Sequence, residues 1–407
     1  MDHDETVARW PATEAEDRVW TSADRPPNRA DRLFRDYQSA VPPSIRDRPA
    51  HLSPTVSGLV AEATAAIAVL DATPVFDMTA LGGLLLRSES VASSKIERLD
   101  VSQRDLARAL IGAARPKSIA GRVAANVRAL QRAVALAGDE VTRATFTEIH
   151  RVLMEPDEHN AREAGVIRTE QNWIGGSDHT PRDAMFIPPK PELVLGLLDD
   201  LATFINRADM AALVQAAIAH AQFETIHPFI DGNSRTGRSL VHLVLQRRSL
   251  VTKTVVPVST VLLADPDAYF HGLELYRQGA LDEWVEMFAA AATLGARSGA
   301  QLAEELRAIT DEWNAAVHPR AGSAVKTLLD GLSRQPVVDI DHVAQLCPGV
   351  AATNLHRAVN RLVDAGVLSS ITSGKRNQVW GATDVLELLE RFETDVIRRR
   401  KAPMLTP

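Results

Sequence analysis

The 407-residue chain is 45% hydrophobic and 24% charged, enough for two or three soluble globular domains with a substantial core. Its net charge of −7 excludes a molecule that coats nucleic acid by bulk charge, and its single cysteine, Cys347, excludes a disulfide framework and points to a reducing compartment. No run reaches the ~20 apolar residues that span a bilayer, and the opening MDHDETVARWPATEAED is too acidic for a secretory signal. Cytoplasm is therefore the expected location, with no membrane partner.

Residues 1 to about 53 are charged and Pro-rich, with Pro pairs at 26–27 and 42–43, and read as an extended arm over the body. From Pro54 onward, apolar residues recur every three or four positions in SGLVAEATAAIAVLDA, RDLARALIGAA, VAANVRALQRAVALAG and TFTEIHRVLM, which predicts helices. Residues 165–189, GVIRTEQNWIGGSDHTPRDAMFIPP, break that pattern with β-branched residues around a Gly-Gly turn and predict a β-hairpin flap. Helices resume through ELVLGLLDDLATFIN, MAALVQAAIAHAQFE, SRTGRSLVHLVLQRR and DPDAYFHGLELYRQG. WVEMFAAAATLGARSGAQLAEELRAITDEW is one long helix or a broken pair.

After His318-Pro the order changes to helix, short helix, Pro-Gly turn, helix and two short strands, the order of a winged helix-turn-helix. AATNLHRAVNRLVDAG would be its recognition helix, with His356, Arg357 and Arg361 facing phosphates or bases and Lys375-Arg376 at the wing tip. Residues 320–401 hold 12 Lys+Arg against 9 Asp+Glu, which permits DNA as a partner and equally permits protein.

The chemistry concentrates in HPFIDGNSRTGR, residues 227–238. Pro228 disfavours helix at His227, Asp231-Gly-Asn is a tight-turn signal, and a new helix begins near Ser234. The turn thus feeds a helix N-terminus, whose free amides and dipole attract anions. Arg235 and Arg238, three apart, add two fixed charges to one face, the make-up of a polyphosphate site. Asp231 offers a hard oxygen for Mg²⁺, and His227 on the rim can take a proton from a hydroxyl. Singly these residues are an ordinary loop, turn and solvated helix face; seven constrained positions at this spacing rarely coincide.

The stretch resembles the signature of Fic-domain proteins, as do the flanking AAIAHAQFETI and RSLVHLVL, RTEQNWIGG and FIPP of the flap, and YQSAVPPSI and SVASSKIERLD upstream. The resemblance covers roughly residues 37–290, with Ser234 where Gly is commonest. It implies a mainly α fold: a Fic-type helical bundle with the flap, followed here by the winged-helix module. The expected divisions are 1–115 (N-terminal arm and helices), 116–298 (catalytic core), 299–319 (connecting helix) and 320–401 (C-terminal module).

The resemblance further implies a protein adenylyltransferase that moves AMP from ATP to a protein Ser, Thr or Tyr hydroxyl, its own included. His227 would be the base, Phe229 would fix the loop, and Asp231 would hold Mg²⁺. Gly232, Asn233, Ser234, Arg235, Gly237 and Arg238 would surround the nucleotide. Trp173, Ile174, Gly175, Phe186 and Ile187 would form the target-docking edge of the flap.

SSKIERLD matches the family's inhibitory helix, in which Ser93 and Glu97 would restrain Arg238 and block the γ-phosphate. Arg98 stands where Gly or Asn is usual. The same glutamate could support removal of AMP by orienting a water. Ser94-x-x-Glu97 also reads as a plain capping box. The alternative function is a DNA-binding regulator that senses nucleotide. A homodimer fits such helical proteins but is written in no particular residue.

Overall fold

The computed structural model describes residues 9–21, 26–73, 78–112, 115, 118–155, 161–372 and 378–401. The chain begins with β1 (Glu14–Val19), α1 (Arg29–Leu33) and β2 (Asp36–Val41), then α2 (Pro54–Ala72), α3 (Met78–Ile96), α4 (Gln103–Leu110), α5 (Ile119–Ala135) and α6 (Arg143–Met154). Beyond the flap region come α7 (Pro191–Asn206), α8 (Ala212–Ile226), α9 (Asn233–Arg247), α10 (Val258–Leu262), α11 (Pro266–Arg277) and α12 (Leu281–Val317). The C-terminal module holds α13 (Ala324–Leu332), β3 (Val337–Asp339), α14 (Ile340–Leu346), α15 (Ala352–Asp364), β4 (Ser369–Ser370), β5 (Val379–Gly381) and α16 (Thr383–Lys401).

Helix starts follow local chemistry. Ser53, Ser102, Ser118, Asp265, Ser323 and Asp339 each accept a hydrogen bond from an amide three residues on, satisfying a donor that the helix cannot. At the centre lies α8, buried on every side from Leu213 to Ile226 and packed against α7, α9 and α12. A helix buried all round must pair its polar side chains. Gln215 Nε2 donates to the carbonyls of Phe204, Ile205 and Arg207, and Tyr276 Oη donates to Gln222 Oε1 over 2.9 Å.

Three sequence expectations change, and one open alternative is decided. The N-terminal arm is not simply extended: β1 and β2 form an antiparallel pair from Glu14↔Val41 to Val19↔Asp36. By length and composition α2 is apolar enough to cross a bilayer, contrary to the sequence reading. It buries one face, Val56, Val60, Ala63, Ile67 and Leu70, against the body, and α12 runs along it. Of the two forms expected for the long stretch before His318, the structure takes the first: α12 is a single 37-residue helix. Last, the C-terminal module has a third strand, so its antiparallel sheet has the order β3-β5-β4. β3 is three residues long and precedes a helix directly, too short for an alternation signal.

The flap turns back at Gly175 and Gly176, both at positive φ (73° and 75°), but the expected hairpin is reduced to one antiparallel bridge, Ile174↔Phe186. Pro188 and Pro189 have no amide to continue the ladder, and the Ile187 carbonyl accepts instead from Ala40 N of β2 over 2.9 Å. The arm also anchors the flap through Asp31. Its carboxylate accepts from Ser177 Oγ (2.7 Å), Thr180 Oγ1 (2.8 Å) and Arg182 Nε (2.8 Å). Burial works against that charge, but these donors and Asn28 outweigh it and hold the Asp31 pKa well below the carboxylate range.

Candidate functional site

The loop between α8 and α9 is closed by its own side chains. Asn233 Oδ1 accepts from Phe229 N and its Nδ2 donates to Phe229 O, both over 2.8 Å. The Phe229 ring is fully buried and stacks on His150 at 3.7 Å, nearly parallel. Gly165 N donates to His150 Nδ1 (2.9 Å), so the proton sits on Nε2, which donates to Asp231 O (2.9 Å). Burial lowers the His150 pKa to about 4, which keeps this neutral tautomer in place at pH 7. Gly232 is obligatory: φ is +76°, and a Cβ there would lie 2.8 Å from Met154 Sδ.

With the loop shaped this way, α9 starts at Gly232 with no side chain capping it. Its first amides are open to an anion. Two nearly fully buried guanidiniums lie beside it. Arg235 reaches Asp231 Oδ1 at 3.7 Å, and its Nε has no hydrogen-bond partner among the described residues. Arg238 donates from Nε to Ser93 Oγ (2.8 Å) and from Nη2 to Ser93 O (2.8 Å) and Glu97 Oε1 (3.0 Å), while Nη1 has no well-formed hydrogen bond among the described residues. Burial opposes charge on both. It lowers the Arg235 pKa, whereas Tyr269, Glu97 and Glu224 more than offset it around Arg238 and raise that one.

The contact from α3 depends on how that helix ends. Leu99 N bonds to Ser94 O (3.0 Å) and Arg98 N to Lys95 O (2.8 Å), a Schellman motif with Arg98 left-handed at φ 60°. Glu97 occupies the cap of this motif and points back to Arg238. The capping-box reading of Ser94 fails, because Ser94 lies inside α3: its Oγ donates to Ser90 O and accepts from Asn126 Nδ2. Beneath Arg238, Glu224 accepts from Ser234 Oγ over 3.1 Å, and its Oε1 has no hydrogen-bond partner among the described residues. Gly237 makes room for it, since a Cβ there would stand 2.8 Å from Oε1. Burial raises the Glu224 pKa to about 7, against the pull of Arg238.

At the opposite end of the loop, His227 caps α8 in the left-handed region (φ 49°, ψ 62°). Burial, then Arg168 and Arg277, push its pKa down to about 3, so the imidazole is neutral at pH 7; its Nδ1 has no well-formed hydrogen bond among the described residues. The flap lies next to it: Asn172 Nδ2 donates to His227 O (3.3 Å) and Phe229 O (2.9 Å). Phe186 lies under the Arg277 guanidinium at 3.7 Å, and Trp173 packs edge-on against Trp20. Gly175 is exposed, Ile174 and Ile187 half-buried. One side of the presumed docking edge is already used, because Ile187 O is paired with Ala40.

The structure therefore gathers His227, Asp231, Gly232, Asn233, Ser234, Arg235, Gly237 and Arg238 with Ser93 and Glu97. Arg168, His150 and Glu224 were not singled out from sequence. His150 had a signal: it continues the apolar face Phe146, Ile149, Leu153 of α6, where a histidine is out of place unless bonded. Asp231 is half-buried, and among the described residues no three His, Cys, Asp or Glu side chains converge. One carboxylate suits Mg²⁺ that takes its other ligands from phosphate oxygens and water. In the C-terminal module, His356 and Arg357 are exposed, but Arg361 donates to Val317 O (2.6 Å) and His318 O (3.3 Å) and is committed to α12. Lys375 and Arg376 lie outside the described residues.

The Fic/DOC family profile matches residues 140–245. Over 126 residues the chain is 35% identical to protein adenylyltransferase fic-1 of Caenorhabditis elegans, covering 30% of this chain and 22% of that protein. Over 153 residues it is 29% identical to protein adenylyltransferase Fic of Drosophila erecta, covering 37% of this chain and 28% of that one. The chain thus spans about a quarter of the length of these curated relatives. A solved Fic family protein from Desulfovibrio desulfuricans matches 83% of this chain and 98% of its own, at 20% identity and a TM-score of 0.53, which supports the fold. Residues 140–245, the stretch that holds the closed loop and the uncapped helix, are a Fic domain.

Proposed function

We propose that the protein is an adenylyltransferase that moves AMP from ATP to a hydroxyl on a protein, with Glu97 as a built-in brake. One observation carries this reading: a single loop has a neutral imidazole at one end and an uncapped helix N-terminus flanked by two buried arginines at the other. A phosphate sensor needs the second feature without the first. The similarity to proteins named adenylyltransferases supports the choice of AMP.

In this reading the β- and γ-phosphates lie against Arg235 and Arg238, and the α-phosphate faces the amides that open α9. Mg²⁺ held by Asp231 and the phosphates would neutralise charge on the triphosphate. His227 accepts the proton of the incoming Ser, Thr or Tyr hydroxyl, whose oxygen bonds to the α-phosphorus. The bond to the bridging oxygen breaks, and pyrophosphate departs along the arginines. Glu97 on Arg238 competes with the γ-phosphate for the same cation.

The Glu97→Gly variant with ATP labelled at the α-phosphate should transfer label to protein, itself included, and His227→Ala in the same background should not. Label moved only from the γ-phosphate would instead make this a phosphotransferase. For the C-terminal module, duplex DNA titrated at two salt concentrations separates a nucleic-acid partner, whose binding weakens with salt, from a protein partner.

A further inference from the structure

Arg168 is 3% exposed and forms no ion pair among the described residues. Its guanidinium instead collects four carbonyl oxygens: His227 from Nε (2.9 Å), Glu170 from Nη1 (3.0 Å), and Pro189 (2.6 Å) and Ile226 (3.4 Å) from Nη2. Its backbone amide donates to Pro228 O over 3.0 Å. Glu170 and Pro189 lie on the two stems of the flap, while Ile226, His227 and Pro228 lead into the motif loop. A planar fork of donors is the one side chain that can join four acceptors in this fixed arrangement. Burial lowers its pKa to about 10, still charged at neutral pH.

His227 needs such a restraint. A non-glycine residue in the left-handed region is strained and persists only where its surroundings hold it there. Its carbonyl, the atom that reports this conformation, accepts from Arg168 and from Asn172, both on the flap side. Resting on the adenylyltransferase reading, we propose that Arg168 is the positioning residue of the catalytic base. It holds His227 in its left-handed conformation and fixes the spacing between that imidazole and the flap beside which the acceptor hydroxyl docks.

The test compares Arg168→Lys and Arg168→Gln, each in the Glu97→Gly background, by automodification with ATP labelled at the α-phosphate. Lysine keeps the charge and loses the fork. We expect kcat to fall about 10²-fold in both, the loss that a roughly 1 Å misplacement causes. The affinity for ATP, read by calorimetry, should change less than about threefold, because neither Arg235 nor Arg238 touches Arg168. The pH–rate profile separates geometry from charge. Burial, Arg168 and Arg277 all depress the His227 pKa, so Arg168→Gln should move the acid limb to higher pH, while Arg168→Lys leaves it in place.

Unchanged kcat in Arg168→Lys, or a loss of activity matched by an equal loss of ATP affinity, overturns the proposal. Calorimetry also shows whether each variant is folded, and the lysine variant is the milder change should the glutamine variant not fold. If the Glu97→Gly parent itself transfers no AMP, the adenylyltransferase reading fails and takes this proposal with it; an active parent with fully active Arg168 variants sinks only the proposal.

Discussion

The two ends of the motif loop are built on opposite plans. At the His227 end hydrogen bonding to the backbone carbonyls is saturated: Arg168 serves four, Asn172 serves two, and Asn233 closes the turn behind them, and only side-chain atoms such as His227 Nδ1 and Asn172 Oδ1 have no partner among the described residues. At the nucleotide end it is left incomplete. Among the described residues Arg235 Nε, Arg238 Nη1 and Glu224 Oε1 are buried without hydrogen-bond partners, and α9 has no side-chain cap. Buried polar atoms without partners cost about 1–3 kcal/mol each. Such a cost is tolerated where a ligand supplies the missing bonds, and a satisfied network is rigid where geometry must not drift. In the proposed reading the incomplete end admits phosphate, and the end with saturated carbonyls is the fixed frame for chemistry.

This contrast can be broken at either end. The largest effect belongs to His227→Ala, which should lower AMP transfer about 10²–10⁴-fold while leaving ATP affinity intact; an equal drop in binding would erase the division of labour. Next comes the incomplete end. The Glu224 pKa is raised from its ordinary 4.5 to about 7 by burial, so its contribution to stability is fully present below pH 4.5 and is lost as pH rises through 7. Glu224→Gln removes that loss. Its stability relative to the parent should improve by about 3 kcal/mol between pH 4 and pH 9 in denaturant unfolding. A pH-independent difference would mean that Arg238 keeps Glu224 ionised throughout.

Glu97→Gly removes one charge-assisted bond to Arg238, worth about 1.5–3 kcal/mol, and should raise automodification about ten- to a hundredfold. The smallest effect sharpens the same point. Arg98 is left-handed at φ 60° in the Schellman motif that aims Glu97. Arg98→Gly should relieve about 1 kcal/mol of backbone strain, raise the melting temperature slightly and lower basal transfer. Higher basal transfer in that variant would show that the cap does not aim the glutamate.

The incomplete end was readable in the sequence and the saturated end was not, for a physical reason. A turn that feeds a helix, with cations spaced along one face, is local chemistry, and HPFIDGNSRTGR spells it in twelve consecutive residues. Ser93 and Glu97 lie far upstream in sequence, and only the resemblance connected them to Arg238. Arg168 reaches its carbonyl partners across 59 positions at His227, and His150 reaches Asp231 across 81. Nothing in single-sequence periodicity encodes such pairings. Glu224 left a trace, as a carboxyl in a helix apolar on all faces, but its proximity to Arg238 appears only when α8 packs on α9. The flap was legible as a reversal; its shortness was not, because β2, which takes its remaining carbonyl, comes from the arm nearly 150 residues earlier.

The helix that supplies Ser93 has obligations elsewhere. Arg87, buried on α3, donates to Gln335 of the C-terminal module, and Lys95, one turn from the brake, pairs with Glu393 of α16 at 2.6 Å. Deleting everything after residue 319 would remove the Gln335 partner of Arg87 and leave Lys95 only Asp100 at 3.4 Å as counter-charge, loosening the rod on which Glu97 is mounted. Activity measured on such a shortened protein would describe a different machine, so assays of restraint belong on the whole chain.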